Sequence, residues 1–517
     1  MCILIIECCF GEERSIMYYQ VTSGIVLGVE GKLVRVEADV SNGLPSVTMV
    51  GYLSSEVKEA RERVIAALRS VSFSIPPKRI TINLSPANVR KAGSSFDFPI
   101  ALAILGSFGM FDHEKLKDAF IAGELSLEGK VRGVRGLLPM ILEAKYKGIR
   151  QCFVPKENAD ELAGIRGIDV YLVSTLTEMV DYLKGRCSLP KIQEKQFYSE
   201  KPPVYPDFSE IKGQEHIKRA LEIAATGRHN ILIIGPAGCG KTALTRCLLG
   251  ILPPMEEEEI QEVYAIYSSR GIAYENGAYP PVRNPHHTVS PSAFLGGGAH
   301  LNAGEISLAH NGVLLLDEMT EFHRACREGL REPMEEHSIS ISRSGHQFLF
   351  PSDFMVVATA NPCPCGAFPD RKKCTCTPVE RSRYQKRISR PVLERFDMII
   401  WAENVRLHEM QQKTESSAVI KKRIIYGRKR QQERFGEEKF HYNSRVPLDR
   451  MEEFCRMDAQ TSRFIQRIFV EKELSMREFY HMQRVAMTIA DLEGEKEVGI
   501  RHIAEASSYY VREGVEQ

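Results

Sequence analysis

The sequence predicts an α/β phosphate-binding core with a helical C-terminal end, preceded by a separate α+β domain. Three observations carry this. Residues Gly235, Pro236, Ala237, Gly238, Cys239, Gly240, Lys241 and Thr242 fit G-x-x-x-x-G-K-[ST], with an apolar strand-like run before them and a helix-like run after, the context that motif requires. Two further apolar runs end in polar residues, one in Asp317 and Glu318, the other in Asn361. Strand-like and helix-like segments also alternate over residues 17–185, ahead of a proline-rich charged stretch. At 517 residues the chain is long enough for about two to four domains.

The chemistry expected of these residues follows from their types. Glycines let the backbone turn its N–H groups toward an anion, and a helix N-terminus adds a favourable dipole. Lys241 is expected to reach the β- and γ-phosphates, and the Thr242 hydroxyl to sit on Mg²⁺. Asp317 would hold Mg²⁺ directly or through water, and Glu318 would orient and deprotonate the attacking water. Asn361 is placed as a polar sensor of the γ-phosphate and that water. ATP and Mg²⁺ are the cofactors this pattern implies.

The formal net charge of +1 does not announce nucleic acid, although a local basic patch remains open. No apolar run reaches the roughly 18 residues of a membrane span, so no membrane partner is expected. Thirteen cysteines in a P-loop chain point to reduced thiols and a cytoplasmic location. The first ten residues are apolar but lack a basic n-region, so a signal peptide is not expected, and residues 1–16 are expected to be a disordered extension or the product of an upstream start ahead of Met17.

In chain order, Val34, Val36, Ala38 and Val40 alternate as in a strand, residues 54–70 read as a helix, and residues 79–84 as a strand. Helices are expected at 98–105 and 137–147. Prolines 190, 202, 203 and 206 mark a linker over 186–207. The acidic run at 256–259 reads as a solvated face. His286 and His287 sit in a Gly/Pro-rich loop, where neighbours in sequence rarely share one metal. Residues 338–350 alternate around Ser344 and Gly345, as in a β-hairpin. Cys363, Cys365, Cys374 and Cys376 form two close pairs that either hold a structural Zn²⁺ or make a metal-free loop. The basic run at 421–430 is either a solvated helix face or a DNA contact. Ser475 is expected to cap a helix whose Val485, Ile489 and Leu492 face a core.

The stretches Pro285-His-His-Thr, Gly304 to Glu318, and Ala360-Asn-Pro-Cys-Pro-Cys-Gly366 carry a resemblance to the ComM/YifB family of magnesium-chelatase-like AAA+ ATPases. The resemblance runs from about Met17 to Tyr510. It implies a Lon-protease-like, ribosomal-protein-S5-like domain at 17–185 and an AAA+ core at 208–401 with a helix-2 insert and a pre-sensor-1 hairpin. A charged connector at 402–446 and a helical lid at 447–517 follow. It places Arg395 at the arginine-finger position, acting on the neighbouring subunit's nucleotide, and Arg477 at sensor 2 on the lid. Ser95 lies near the Lon nucleophile, but Leu138 stands where its lysine should be, so proteolysis is not expected. A homo-oligomeric, hexameric ring is implied, working as a DNA helicase on single-stranded or branched DNA in transformation or recombination. Arg343, near the hairpin tip, would then hold DNA phosphate or pair with an acidic residue of the next subunit. The competing readings are a magnesium-chelatase ATPase subunit, which should lack residues 17–185, and a nucleotide-gated scaffold. Ala237, where the family often has proline, and His481 and Met487, in place of lid arginines, depart from the family pattern.

Overall fold

The computed structural model describes residues 18–192, 203–298, 301–343, 346–405 and 414–510. The expected N-terminal extension, the middle of the linker and the hairpin tip at Ser344 and Gly345 lie outside the described residues. The chain divides into two compact units. One holds residues 1–197 together with 264–274, and the other holds the rest.

The first unit is built on a seven-stranded mixed sheet. Its strands run across the sheet in the order Ser46–Val50, Arg79–Ser85, Glu30–Ser41, Tyr18–Leu27, Ala119–Ile121, Gln151–Pro155 and Asp169–Val173. The alternation read in the sequence sorts side chains to two faces. Val34, Val36, Ala38 and Val40 turn to one core, under the helices Ser55–Leu68 and Asp97–Ser107. Phe120, Cys152 and Val154 turn to the other, under Leu137–Tyr146. The first helix begins at Ser54, whose hydroxyl accepts from the Val57 amide at 3.4 Å. The core of the second face also takes Tyr264 and Ala265, so part of the helix Glu257–Arg270 belongs to this unit. There Ser269 O accepts from Arg135 Nε at 2.7 Å, and the Ser268 hydroxyl accepts from the Leu138 amide at 3.3 Å. Nothing in the spacing of the sequence announces this insertion.

The second unit carries a five-stranded sheet in the order Val282–Arg283, Val313–Leu316, Met355–Ala360, Ile231–Ile234 and Met398–Trp401. Every pairing in it is parallel. The central strands are buried along their whole length, which is why they read as continuous apolar runs rather than alternating ones. Beyond the sheet the chain is helical, with Ser417–Phe435, Ala459–Glu471, Met476–Glu493 and Ile500–Ser508. Ser475 caps the third of these as expected, in a reciprocal capping box with Glu478. Val485, Ile489 and Leu492 are buried in the same core as the P-loop strand.

Candidate active site

Ligands of open parallel sheets gather beyond the carboxyl ends of the strands, and the expected residues converge there. Strand Ile231–Ile234 runs into Gly235, and the helix Lys241–Ile251 starts directly after Gly240. Gly238 and Gly240 have φ of +81° and +92°, which L-residues rarely adopt. A Cβ built on either would meet nothing within 4 Å, so open space lies before the loop. Ala237 is held from behind, its amide donating to the Gly366 carbonyl at 2.8 Å.

Lys241 is almost buried. Its ammonium donates to the carbonyls of Gly235 at 2.7 Å and Pro236 at 2.9 Å, and to Asn361 Oδ1 at 3.1 Å. Burial pushes its pKa down, while Cys239, Asp317 and Glu318 pull it back up. Thr242 Oγ1 donates to the Asp317 carboxylate, 3.0 Å and 3.2 Å from its two oxygens. The three strand ends thus bring two neighbouring hydrogen-bonded pairs together, Lys241 with Asn361 and Thr242 with Asp317. An open cradle, a lysine resting on its own loop and a threonine–aspartate pair fit a triphosphate with Mg²⁺. The phosphates would take the lysine from the carbonyls, and the metal would sit on the hydroxyl and carboxylate.

Sequence reasoning missed Thr359. Its fully buried hydroxyl donates to Asp317 Oδ1 at 2.5 Å and accepts from the Glu318 amide at 3.0 Å. One side chain therefore fixes both acidic residues. Glu318 has φ of +54°, an uncommon backbone for a non-glycine residue, and its carboxylate is exposed. The signal was faint, a lone hydroxyl near the end of a buried strand.

Arg395 and Arg477 come together elsewhere, on Glu335. Both guanidinium groups donate to its carboxylate, one to each oxygen. Arg395 also donates to the carbonyls of Arg331, at 2.9 Å, and Pro391. His481 pairs with buried Asp397 at 2.5 Å.

Cys363, Cys365, Cys374 and Cys376 converge so that their sulfurs lie within 4.8 Å of one another. The sulfur separations of Cys363–Cys365, Cys363–Cys374 and Cys365–Cys374 are 3.4, 3.8 and 3.7 Å. A disulfide needs about 2.05 Å, whereas a tetrahedron with Zn–S bonds of about 2.3 Å has edges of about 3.8 Å. Backbone hydrogen bonding, first from Ala367, holds the Cys365 thiol down to about 6.

The remaining expectations land as follows. The hairpin is present as Ser338–Arg343 paired with His346–Pro351, and Arg343 donates to the Gly298 carbonyl of its own chain at 2.8 Å. The basic run is neither simply solvated nor simply free for DNA. Arg423 pairs with Glu222 and Glu415, Arg428 donates to the Ala225 carbonyl, and Arg430 donates to the Glu495 carbonyl. Apart from Glu415, eight residues before Arg423, these acceptors are distant in sequence, so composition alone could not show them. Ser95 donates to the Gly24 carbonyl at 3.2 Å, Leu138 is buried, and the buried Lys91 donates to the Pro86 carbonyl. Among the described residues no helix is long and apolar enough to cross a membrane.

Comparison with known proteins bears on this geometry. The chain is 38% identical to the competence protein ComM of Haemophilus influenzae over 491 residues, covering 93% of this chain and 95% of that protein. The chain belongs to the ComM/YifB family of magnesium-chelatase-like ATPases. The uncharacterized YifB of Escherichia coli is 37% identical over 488 residues. A family model described as magnesium chelatase, subunit ChlI, matches residues 207–410, and one for its C-terminal part matches 414–510. Another, described as subunit ChlI of Mg-chelatase, matches residues 36–158. Over 35% of this ComM/YifB-family chain there is also 28% identity to the Lon protease of Roseiflexus castenholzii, spanning 24% of that protease.

Proposed function

We propose that this ComM/YifB-family ATPase is a ring-forming DNA motor that extends strand exchange by branch migration. The observation that carries the nucleotide half is the joining of Lys241, Thr242, Asp317 and Asn361 at one end of the parallel sheet. The DNA half rests on near full-length similarity to a competence protein and on the hairpin with Arg343 beside its tip.

ATP supplies the phosphoanhydride, and Mg²⁺ bound with it neutralises phosphate charge. Gly235 to Gly240 give the loop, with Pro236, Ala237 and Cys239 as its backbone. Lys241 would neutralise the outer phosphates, and Thr242 and Asp317 would hold the metal. Glu318 takes the proton from water at its carboxylate, Asn361 orients that water, and Thr359 fixes both acids. Arg395 and Arg477 serve as arginine finger and sensor 2, Arg395 reaching a neighbouring copy in a hexamer. Residues 17–185 form the Lon-like domain and 447–517 the lid, and the four cysteines hold a structural Zn²⁺. The protein works in the cytoplasm.

A chelatase-type role is the second reading, favoured by the descriptions of the matching family models. ATP turnover with and without single-stranded and forked DNA separates the two. Stimulation by DNA and displacement of a branch support the motor. Turnover indifferent to both DNAs removes it.

A further inference from the structure

Glu335 lies on no catalytic motif, yet both arginines that the proposed function needs converge on it. Its two carboxylate oxygens take one guanidinium each, from Arg395 and from Arg477. These arginines come from segments far apart in the chain, so the carboxylate is the piece that joins them. Two guanidinium groups on one carboxylate leave a net positive cluster. Such a cluster attracts an anion, and a partly exposed arginine can turn from carboxylate to phosphate without losing hydrogen bonds.

The surroundings show that Glu335 is placed firmly. Its helix, Pro333–Glu336, follows Arg331, whose carbonyl takes Arg395 Nε at 2.9 Å. Glu332 Oε1 accepts from the Ser340 amide at 2.9 Å, and the His337 carbonyl accepts from the Ser352 amide at 2.8 Å. The segment that carries Glu335 is thus tied to the arginines on one side and, on the other, to the first hairpin strand at Ser340 and to Ser352 just past the second. Arg395 is the more enclosed arginine, with its side chain 11% exposed, while Arg477 is 38% exposed.

We propose that Glu335 is a positioning residue that holds Arg395 and Arg477 as one unit for the neighbouring nucleotide and couples that unit to the hairpin base. The inference rests on the finger reading of Arg395 given above. The test uses the full-length protein and compares Glu335→Gln, Glu335→Asp and Arg395→Ala, alone and with Glu335→Gln and Arg395→Ala combined. Turnover, KM for ATP, affinity for a fluorescent ADP and the fold stimulation by single-stranded DNA are measured, with melting temperatures recorded. Glu335→Gln is expected to lower kcat at least about tenfold, with KM and ADP affinity within about twofold and DNA stimulation falling toward one. Glu335→Asp, which keeps the charge on a shorter stem, should recover part of kcat. Combined with Arg395→Ala, Glu335→Gln should add little, because both act through the same guanidinium. Wild-type kcat in Glu335→Gln beside an inactive Arg395→Ala overturns the inference alone, as do independent, multiplying effects. Full turnover by Arg395→Ala overturns the finger reading and the inference with it. If Glu335→Gln does not fold, Glu335→Asp decides: a wild-type kcat and stimulation overturn the inference, and an intermediate kcat supports it.

Discussion

Replacing Thr359 by valine tests the active-site assignment at its least obvious point. Valine keeps the volume and branching of threonine but removes one hydroxyl. That hydroxyl donates to Asp317 at 2.5 Å and accepts from the Glu318 amide at 3.0 Å, in a fully buried position. A hydrogen bond to a charged group is worth about 1.5–3 kcal/mol, and leaving a buried amide unpaired costs about 1–3 kcal/mol. If half of that total is expressed in the geometry of the two acids, the loss in turnover is roughly 10- to 100-fold, at about 1.4 kcal/mol per factor of ten. Asp317 keeps its bond to Thr242, so Mg²⁺ affinity should fall less than kcat does. Steady-state hydrolysis at saturating ATP, titrated with Mg²⁺, measures both quantities. The remainder of that total falls on stability, so the melting temperature should drop by several degrees, at about 2–4 °C per kcal/mol. A kcat within twofold of wild type would refute the claim that Thr359 orients Asp317 and Glu318.

Other outcomes follow from the same geometry. Glu318→Gln should bind ATP and hydrolyse it at least about 100-fold more slowly, as loss of a positioned base commonly does, while Lys241→Ala should lose nucleotide binding. Metal analysis of untagged protein purified under reducing conditions should find about one Zn²⁺ per chain, falling away when Cys363 and Cys374 are both changed to serine; none would show a metal-free loop. Arg343→Ala should weaken DNA binding across sequences and reduce its salt dependence by about one phosphate contact, and an unchanged slope would clear Arg343 of that role. Burial, followed by the neighbouring Arg445, pushes the His337 imidazole down to about 4. The unfolded chain takes up that proton near 6.5, so the stability is fully present above that pH and is lost as pH falls toward 4. The unscreened effect is about 3 kcal/mol, reduced to about 1 kcal/mol because the ring is partly exposed. His337→Asn, which tolerates the local φ of +53°, should flatten that part of the melting curve against pH.

Local chemistry made much of the core legible. A loop that must face an anion needs glycines at positive φ, and Gly238 and Gly240 occupy those positions. Strands buried on both faces have to be apolar throughout, so 231–234, 313–316 and 355–360 stood out. A helix start needs a capping oxygen, and Ser54 and Ser475 supplied theirs. These features depend on a few neighbouring residues, so they can be read from order alone.

What the sequence could not show depends on residues that meet only after folding. Thr359 is one hydroxyl in an apolar run until Asp317 and Glu318 arrive from the adjacent strand. Glu335 is one of several acidic residues until Arg395 and Arg477 converge on it. The basic run at 421–430 looks free until Glu222, Glu415 and the carbonyls of Ala225 and Glu495 claim its arginines. Segment 264–274 lies between two elements of the nucleotide core, yet it packs with the first unit. Pairings of this kind are set by which surfaces bury each other, and a long-range partner leaves no mark in the spacing of the residues that await it.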